Sequence, residues 1–210
     1  MKGVIIAGGR IEDNINKYID TDTFVVCADS GYVYAVKNGI KTDVLIGDFD
    51  SIKKPINPAC EVITHPVQKN ATDTQLCIDY LSLKGIKDII LFGAFGGDRL
   101  DHSIANLQLL EYALNVNVHL KIIDGLTEVY MINSSSVTIY GEKGDIVSVF
   151  AVDAADGISY KGLKYPLKNA SLSRSVPYCV SNAMIGNTAE IEVKKGKVII
   201  VHIRGEQSER

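Results

Sequence analysis

Asp48 and Asp50 flank Phe49 two residues after the apolar run Val44, Leu45 and Ile46. Carboxylates this close repel one another unless a cation or open water offsets the charge. On an extended backbone the i, i+2 spacing sends both to one side, with Phe49 turned the other way, so the pair reads as ligands of a single ion. Further acids hold equivalent places: Asp29 after the apolar residues 24–28, Asp73 at the start of a helical segment, Asp101 within 93–102, and Asp124 after 120–123. Singly, each is explained by a turn or a helix cap. Their convergence on one edge of one sheet calls for a cation, and hard oxygen ligands without clustered His or Cys point to Mg²⁺ rather than zinc.

Glycines and bases accompany the acids. Ala7, Gly8 and Gly9 follow the first apolar run, and a glycine-rich stretch at 93–97 runs into Arg99 before a long helical pattern. Glycine lets backbone N–H groups approach a phosphate, and helix N-termini favour anions. Neither stretch has the P-loop pattern or Gly-x-Gly-x-x-Gly, so a tight turn explains each as well as a phosphate does. Arg99 adds a guanidinium that can grip phosphate oxygens in pairs while balancing the acids, and Lys69 supplies a second cation. Acids, Mg²⁺, glycine turns and a few cations are the parts needed to transfer phosphate from a nucleotide. His65, His119 and His202 are dispersed and read as structural. His102, beside Asp101, is either a supporting partner or a helix-start residue.

The elements that must position these groups fall into two halves. Residues 1–127 alternate short apolar strands, rich in β-branched residues, with helical patterns. Residues 30–39 and 72–85 both stop at glycine, and Thr72 with Gln75 has the capping-box spacing. Leu100, Ile104, Leu107, Leu110 and Leu114 mark one face of a helix over about 101–116. This alternation predicts an N-terminal parallel-sheet α/β domain, whose ligands bind beyond the carboxyl ends of the strands. Over 128–210 the helical period vanishes and alternating runs predict a smaller antiparallel β-sandwich, with Lys195-Gly196 as a hairpin turn.

The 210 residues suffice to bury a sizeable core, and the mix of 46% hydrophobic and 22% charged residues is that of a soluble globular chain. A net charge of −3 offers no basic field for nucleic acid or anionic membrane. No apolar run spans a bilayer, and the first apolar stretch is too short for a signal-peptide core. The four cysteines lack Cys-x-x-Cys pairing and read as reduced thiols of a cytoplasmic protein.

The order and spacing of Asp29-Ser-Gly, Gly47-Asp-Phe-Asp-Ser, Asn70-Ala-Thr-Asp, the segment 96–110, Gly162-Leu-Lys-Tyr-Pro-Leu and Ser181-Asn182 resemble the thiamine pyrophosphokinase family through nearly the whole chain. The resemblance implies transfer of the pyrophosphoryl group of ATP to the hydroxyl of thiamine, with an active site formed across a homodimer. Carried over residue by residue, Asp48, Asp50 and Asp73 would hold Mg²⁺. Lys69, Thr72 and Arg99 would contact the phosphates, with Asp29 and Ser51 completing the nucleotide site. Asp101 would lie near the reacting hydroxyl, giving Asp73, Asp101 and Arg99 as the catalytic set. Tyr165, Ser181 and Asn182 would line the thiamine pocket. Two rival readings are a phosphatase of the aspartyl-phosphate type, suggested by Asp-x-Asp, and a non-catalytic nucleotide- or thiamine-binding regulator on the same fold.

Overall fold

The computed structural model describes residues 1–12, 14–49, 60–64, 70–96 and 99–205. The chain divides into two compact units, Met1–Gly125 and Leu126–Arg210, a boundary two residues earlier than the one expected at 127/128.

The first unit is a sheet of six parallel strands: β1 (Lys2–Ile6), β2 (Thr23–Ala28), β3 (Val44–Gly47), β4 (Glu61–Thr64), β5 (Asp88–Phe92) and β6 (His119–Asp124). Their order is β6-β5-β1-β2-β3-β4, so successive connections run one way from β1 to β4 and then reverse to β5 and β6. The central strands are apolar without alternation, as a sheet covered on both faces demands: Val4, Ile5, Ile6, Val26, Cys27 and Leu45 are all fully buried. Among the described residues the helices that join them are α1 (Gly31–Lys37), α2 (Asp73–Leu83) and α3 (Leu100–Asn115), with a short 3-10 turn at Ile15–Tyr18 between β1 and β2. The Oγ1 of Thr72 accepts from the Gln75 N–H at 3.2 Å, so the expected cap of α2 is formed. Helix α1 gives way to Gly39 in the left-handed region, φ +65°.

Helix α3 buries a different face from the one its leucines suggest. Asn106, Leu109, Leu110 and Ala113 are buried, whereas Leu100 and Ile104 stand exposed. Only Leu110 belongs to both sets, and the stripe is turned by roughly one residue, about 100° around the axis. The cause is a polar side chain in the buried row, Asn106, which periodicity counted in hydrophobic residues passes over.

The second unit holds two antiparallel sheets. One, ordered β12-β9-β14-β7, comprises β7 (Thr127–Asn133), β9 (Ile146–Ala151), β12 (Asn182–Ala183) and β14 (Lys197–Ile203). The other, β11-β10-β13-β8, comprises β8 (Ser136–Tyr140), β10 (Ala154–Lys161), β11 (Ala170–Ser173) and β13 (Thr188–Glu192). Alternate residues from both sheets, among them Val147, Val149, Ile158, Ile191, Val198 and Ile200, form one core. Lys195-Gly196 is not a hairpin turn: β13 pairs with β8 and β10, while β14 pairs with β7 and β9, so these residues carry the chain from one sheet to the other. Alternation in β13 and β14 was legible; the partner of each strand was not.

Alternation along β14 also turns His202 inward, where it is 1% exposed and must find a partner. Its Nε2 lies 2.9 Å from Asp145 Oδ2, and the same carboxylate accepts from the N–H groups of Glu142 (3.0 Å) and Gly205 (2.8 Å). Burial pushes the Asp145 carboxyl up, but these donors together outweigh it and leave it below its ordinary value. A carboxyl depressed on folding contributes stability that is fully present above its unfolded value, about 3.9, and lost as pH falls through the lower folded value. Replacing Asp145 with Ala should therefore lower stability at neutral pH by about 1–3 kcal/mol. It should also flatten the fall of Tm between about pH 5 and pH 2 seen by calorimetry; parallel curves for the two proteins would show that the carboxylate carries no such linkage.

Candidate active site

Strand order reverses between β1 and β5, and the loops that leave the sheet there diverge and leave a crevice. A cleft of about 500 Å³ occupies this place. It is lined by the loop after β1 (Ala7 to Arg10), the end of β2 and the residues after it (Ala28 to Ser30), the loop after β5 (Gly93, Ala94, Gly96), Thr72, Asp73 and Thr74 opening α2, Arg99 just before α3, and His102, Ala105 and Asn106 of α3.

Three of the glycines around it, Gly9, Gly31 and Gly93, face backbone carbonyls. The N–H of Ala7 donates to Phe92 O (2.9 Å) and that of Gly9 to Gly93 O (3.0 Å), continuing the β1–β5 ladder past the strand ends. A Cβ at Gly9 would collide with Gly93 O and lie 2.6 Å from Phe95 O; one at Gly31 would overlap Ile6 O. At Gly9 these contacts support close approach of chain to chain, whereas Gly8 faces the Ser30 side chain.

Asp29 and Asp48 follow the adjacent strands β2 and β3, and Asp73 opens α2; all three are half-buried. Asp29 and Asp73 line the cleft, whereas Asp48 lies outside its lining. Asp29 (φ +46°) and Phe49 (φ +64°) adopt left-handed backbone conformations. The strand ends at Gly47, so the extended geometry expected for Asp48-Phe49-Asp50 does not hold at Phe49, although its ring does turn inward onto the core around Val25 and Leu45. Asp50, Ser51 and Lys69 lie outside the described residues. Among the described residues no three His, Cys, Asp or Glu side chains come together as a metal site. The half-buried carboxylates at the strand ends are of the hard-oxygen type that suits Mg²⁺.

Cationic character comes from three sources. Helices α2 and α3 both begin at the cleft, and first-turn N–H groups have no partner within the helix. Arg10, which sequence reasoning passed over, lines it and pairs with Glu12; its place directly after Gly8-Gly9 was the available signal. Arg99 forms a two-pronged pair with Asp101, Nε to Oδ1 at 2.9 Å and Nη2 to Oδ2 at 2.6 Å. The Arg99 hydrogen bond holds the Asp101 carboxyl down at about 2 and the guanidinium above its ordinary value. Two residues expected to act separately are thus coupled. Asn106 and Thr74, both buried in the lining, were also missed; an Asn in the core row of a helix is the sign that could have revealed Asn106.

In the second unit Tyr165, Ser181 and Asn182 do lie together. Asn182, 6% exposed, accepts from Tyr165 N–H through Oδ1 (2.9 Å) and donates from Nδ2 to Tyr165 O (2.7 Å). Both ends of its amide are occupied, so Asn182 props the Tyr165 backbone, while the Tyr165 ring stands exposed with the Lys164 ammonium 5.5 Å from its centre. Ser181 (φ +56°) donates its N–H to Ser148 Oγ at 2.9 Å.

A parallel sheet whose switch-point crevice is edged by two helix N-termini, two guanidinium groups and carboxylates defines an α/β protein suited to a phosphorylated small molecule. The family profile of the thiamin pyrophosphokinase catalytic domain matches residues 15–122, and that of the thiamin pyrophosphokinase vitamin B1 binding domain matches residues 134–198. The chain belongs to the thiamin pyrophosphokinase family. It is 28% identical over 206 residues to the thiamine pyrophosphokinase of Bacillus subtilis, covering 94% of this chain and 96% of that one. The crystal structure of the Bacillus subtilis enzyme superposes with a TM-score of 0.89 at 27% identity, over 98% of this chain and 100% of that chain. The thiamin pyrophosphokinase structure from Geobacillus thermodenitrificans gives 0.87 at 25% identity, over 99% of each.

The Arg99–Asp101 pair is testable alone. In the Arg99→Gln variant the Asp101 carboxyl should titrate near the ordinary value of about 3.9, against about 2 in the parent chain, as read by carboxyl carbon NMR. Identical midpoints would mean the pair does not form in solution.

Proposed function

We infer that this protein transfers the pyrophosphoryl group of ATP to the hydroxyl of thiamine, releasing thiamine diphosphate and AMP. The observation that carries the reading is the sequential match of both family profiles, catalytic then vitamin B1 binding, to a chain whose first unit holds a switch-point cleft.

We assign ATP to that cleft. Arg99, Lys69 and Thr72 bind its phosphates, and Asp29 and Ser51 complete the nucleotide site. Asp48, Asp50 and Asp73 would hold Mg²⁺, whose charge would draw negative charge off the phosphates. Phosphoryl-type transition states need little covalent help, so these residues act by placing the phosphates and offsetting charge as it develops. Asp101 is paired through both oxygens with Arg99, and a carboxyl so held is a weak proton acceptor, so Asp101 acts by aiming Arg99. Tyr165 and Ser181 meet thiamine, the Tyr165 ring offering its face to the cationic thiazolium, and Asn182 supports them. The working form is a homodimer in the cytoplasm; no disulfide forms among the four cysteines, and among the described residues no helix is long and apolar enough to cross a membrane.

With ATP, Mg²⁺ and thiamine, equal amounts of thiamine diphosphate and AMP are expected. Phosphate released from simple esters without ATP would favour the phosphatase reading, and ligand binding without AMP the regulator. Asp73→Asn and Asp48→Asn should each lower kcat/KM by about a hundredfold or more, some 2.7 kcal/mol of barrier. Near-parental rates for both at saturating Mg²⁺ would remove the metal assignment.

A further inference from the structure

Asn106 occupies the buried row of α3 with Leu109, Leu110 and Ala113, where the helical period calls for an apolar side chain. It is 8% exposed, and a carboxamide so placed is tolerated only with a hydrogen-bond partner. The partner is a backbone carbonyl of the loop after β5: Nδ2 donates to Ala94 O at 2.8 Å. That loop is bounded by Gly93 and Gly96, both left-handed at φ +68° and +82°, and Gly93 O accepts from Gly9 N–H at 3.0 Å. The loop is therefore tied to the end of β1 through Gly9 and to α3 through Asn106. Ala94, Asn106, Arg99 and His102 all line the cleft, and Arg99 is the residue from which α3 starts.

We propose that Asn106 is a positioning residue of the nucleotide site: its carboxamide holds α3, and with it Arg99, in register with the glycine-bounded loop, so that the guanidinium and the loop backbone address the same phosphates. The proposal rests on the assignment of ATP to this cleft. Nothing about the thiamine residues of the second unit depends on it, which separates a positioning role from a general loss of folding.

Two substitutions test it. Asn106→Asp keeps the shape but sets a carboxylate oxygen against the Ala94 carbonyl, and Asn106→Leu keeps the buried row intact while removing the donor. Both should raise the KM for ATP about tenfold or more, while the KM for thiamine stays within about twofold and far-UV circular dichroism is unchanged. Should the Asp variant fail to fold, the Leu variant decides. In the parent chain, the non-reacting α,β-methylene analogue of ATP should slow amide hydrogen exchange over residues 93–96 and 99–106 together. An unchanged KM for ATP in a folded variant, equal rises for both substrates, or protection of only one segment would overturn the proposal. Absence of product from the parent chain would instead overturn the assignment of the reaction.

Discussion

The carboxyl ends of β1, β2 and β5 approach so closely that the backbones themselves are the packing surfaces. At Gly9 and Gly31 any Cβ would enter the carbonyl of a neighbouring chain segment, Gly93 O in one case and Ile6 O in the other. This seam holds the loops at the switch point side by side and leaves room above them for a cleft rather than for side chains. Ladder hydrogen bonds continue through it, from Ala7 to Phe92 and from Gly9 to Gly93, so the site's floor is an extension of the sheet. A floor built from such bonds is stiff, and stiffness is what a reaction governed by placement needs.

Upon that floor the electrostatics are set by elements that arrive from different directions. The starts of α2 and α3 bring partial positive charge, Arg99 brings a full one, and Asp29 and Asp73 bring negative charge into the same crevice. The exposed Arg99–Asp101 pair contributes little to stability, because water screens it. What it does is set two guanidinium nitrogens, Nε and Nη2, against the two oxygens of one carboxylate. The second unit works by a similar economy: the Asn182 amide is fully used in bonding the Tyr165 backbone, which leaves the ring as the part available to a ligand.

Much of the fold was legible because its signals are local. Apolar β-branched runs separated by capped helical segments predict a parallel α/β unit, and Thr72 with Gln75 marked the start of α2 within a residue. The acids at the strand ends were legible for the same reason: once strands are located, their carboxyl ends follow. What escaped were features that depend on partners far along the chain. Asn106 is unremarked in a hydrophobic count, yet it sits in the core row because Ala94, twelve residues earlier, offers a carbonyl there. Lys195-Gly196 has the composition of a hairpin, yet the strands it joins pair with other strands.

The sequence by itself determined the alternation of elements, the halves of the chain and the residue types that carry charge to one edge, since these follow from side-chain chemistry and periodicity within a few residues. Only the tertiary structure decided that Gly9 and Gly31 face backbone and that Arg99 is clamped to Asp101. It alone showed Phe49 with a left-handed backbone and α3 buried on the Asn106 side. Each of these depends on which distant groups come within a few ångströms, and steric exclusion and hydrogen bonding act only at that range.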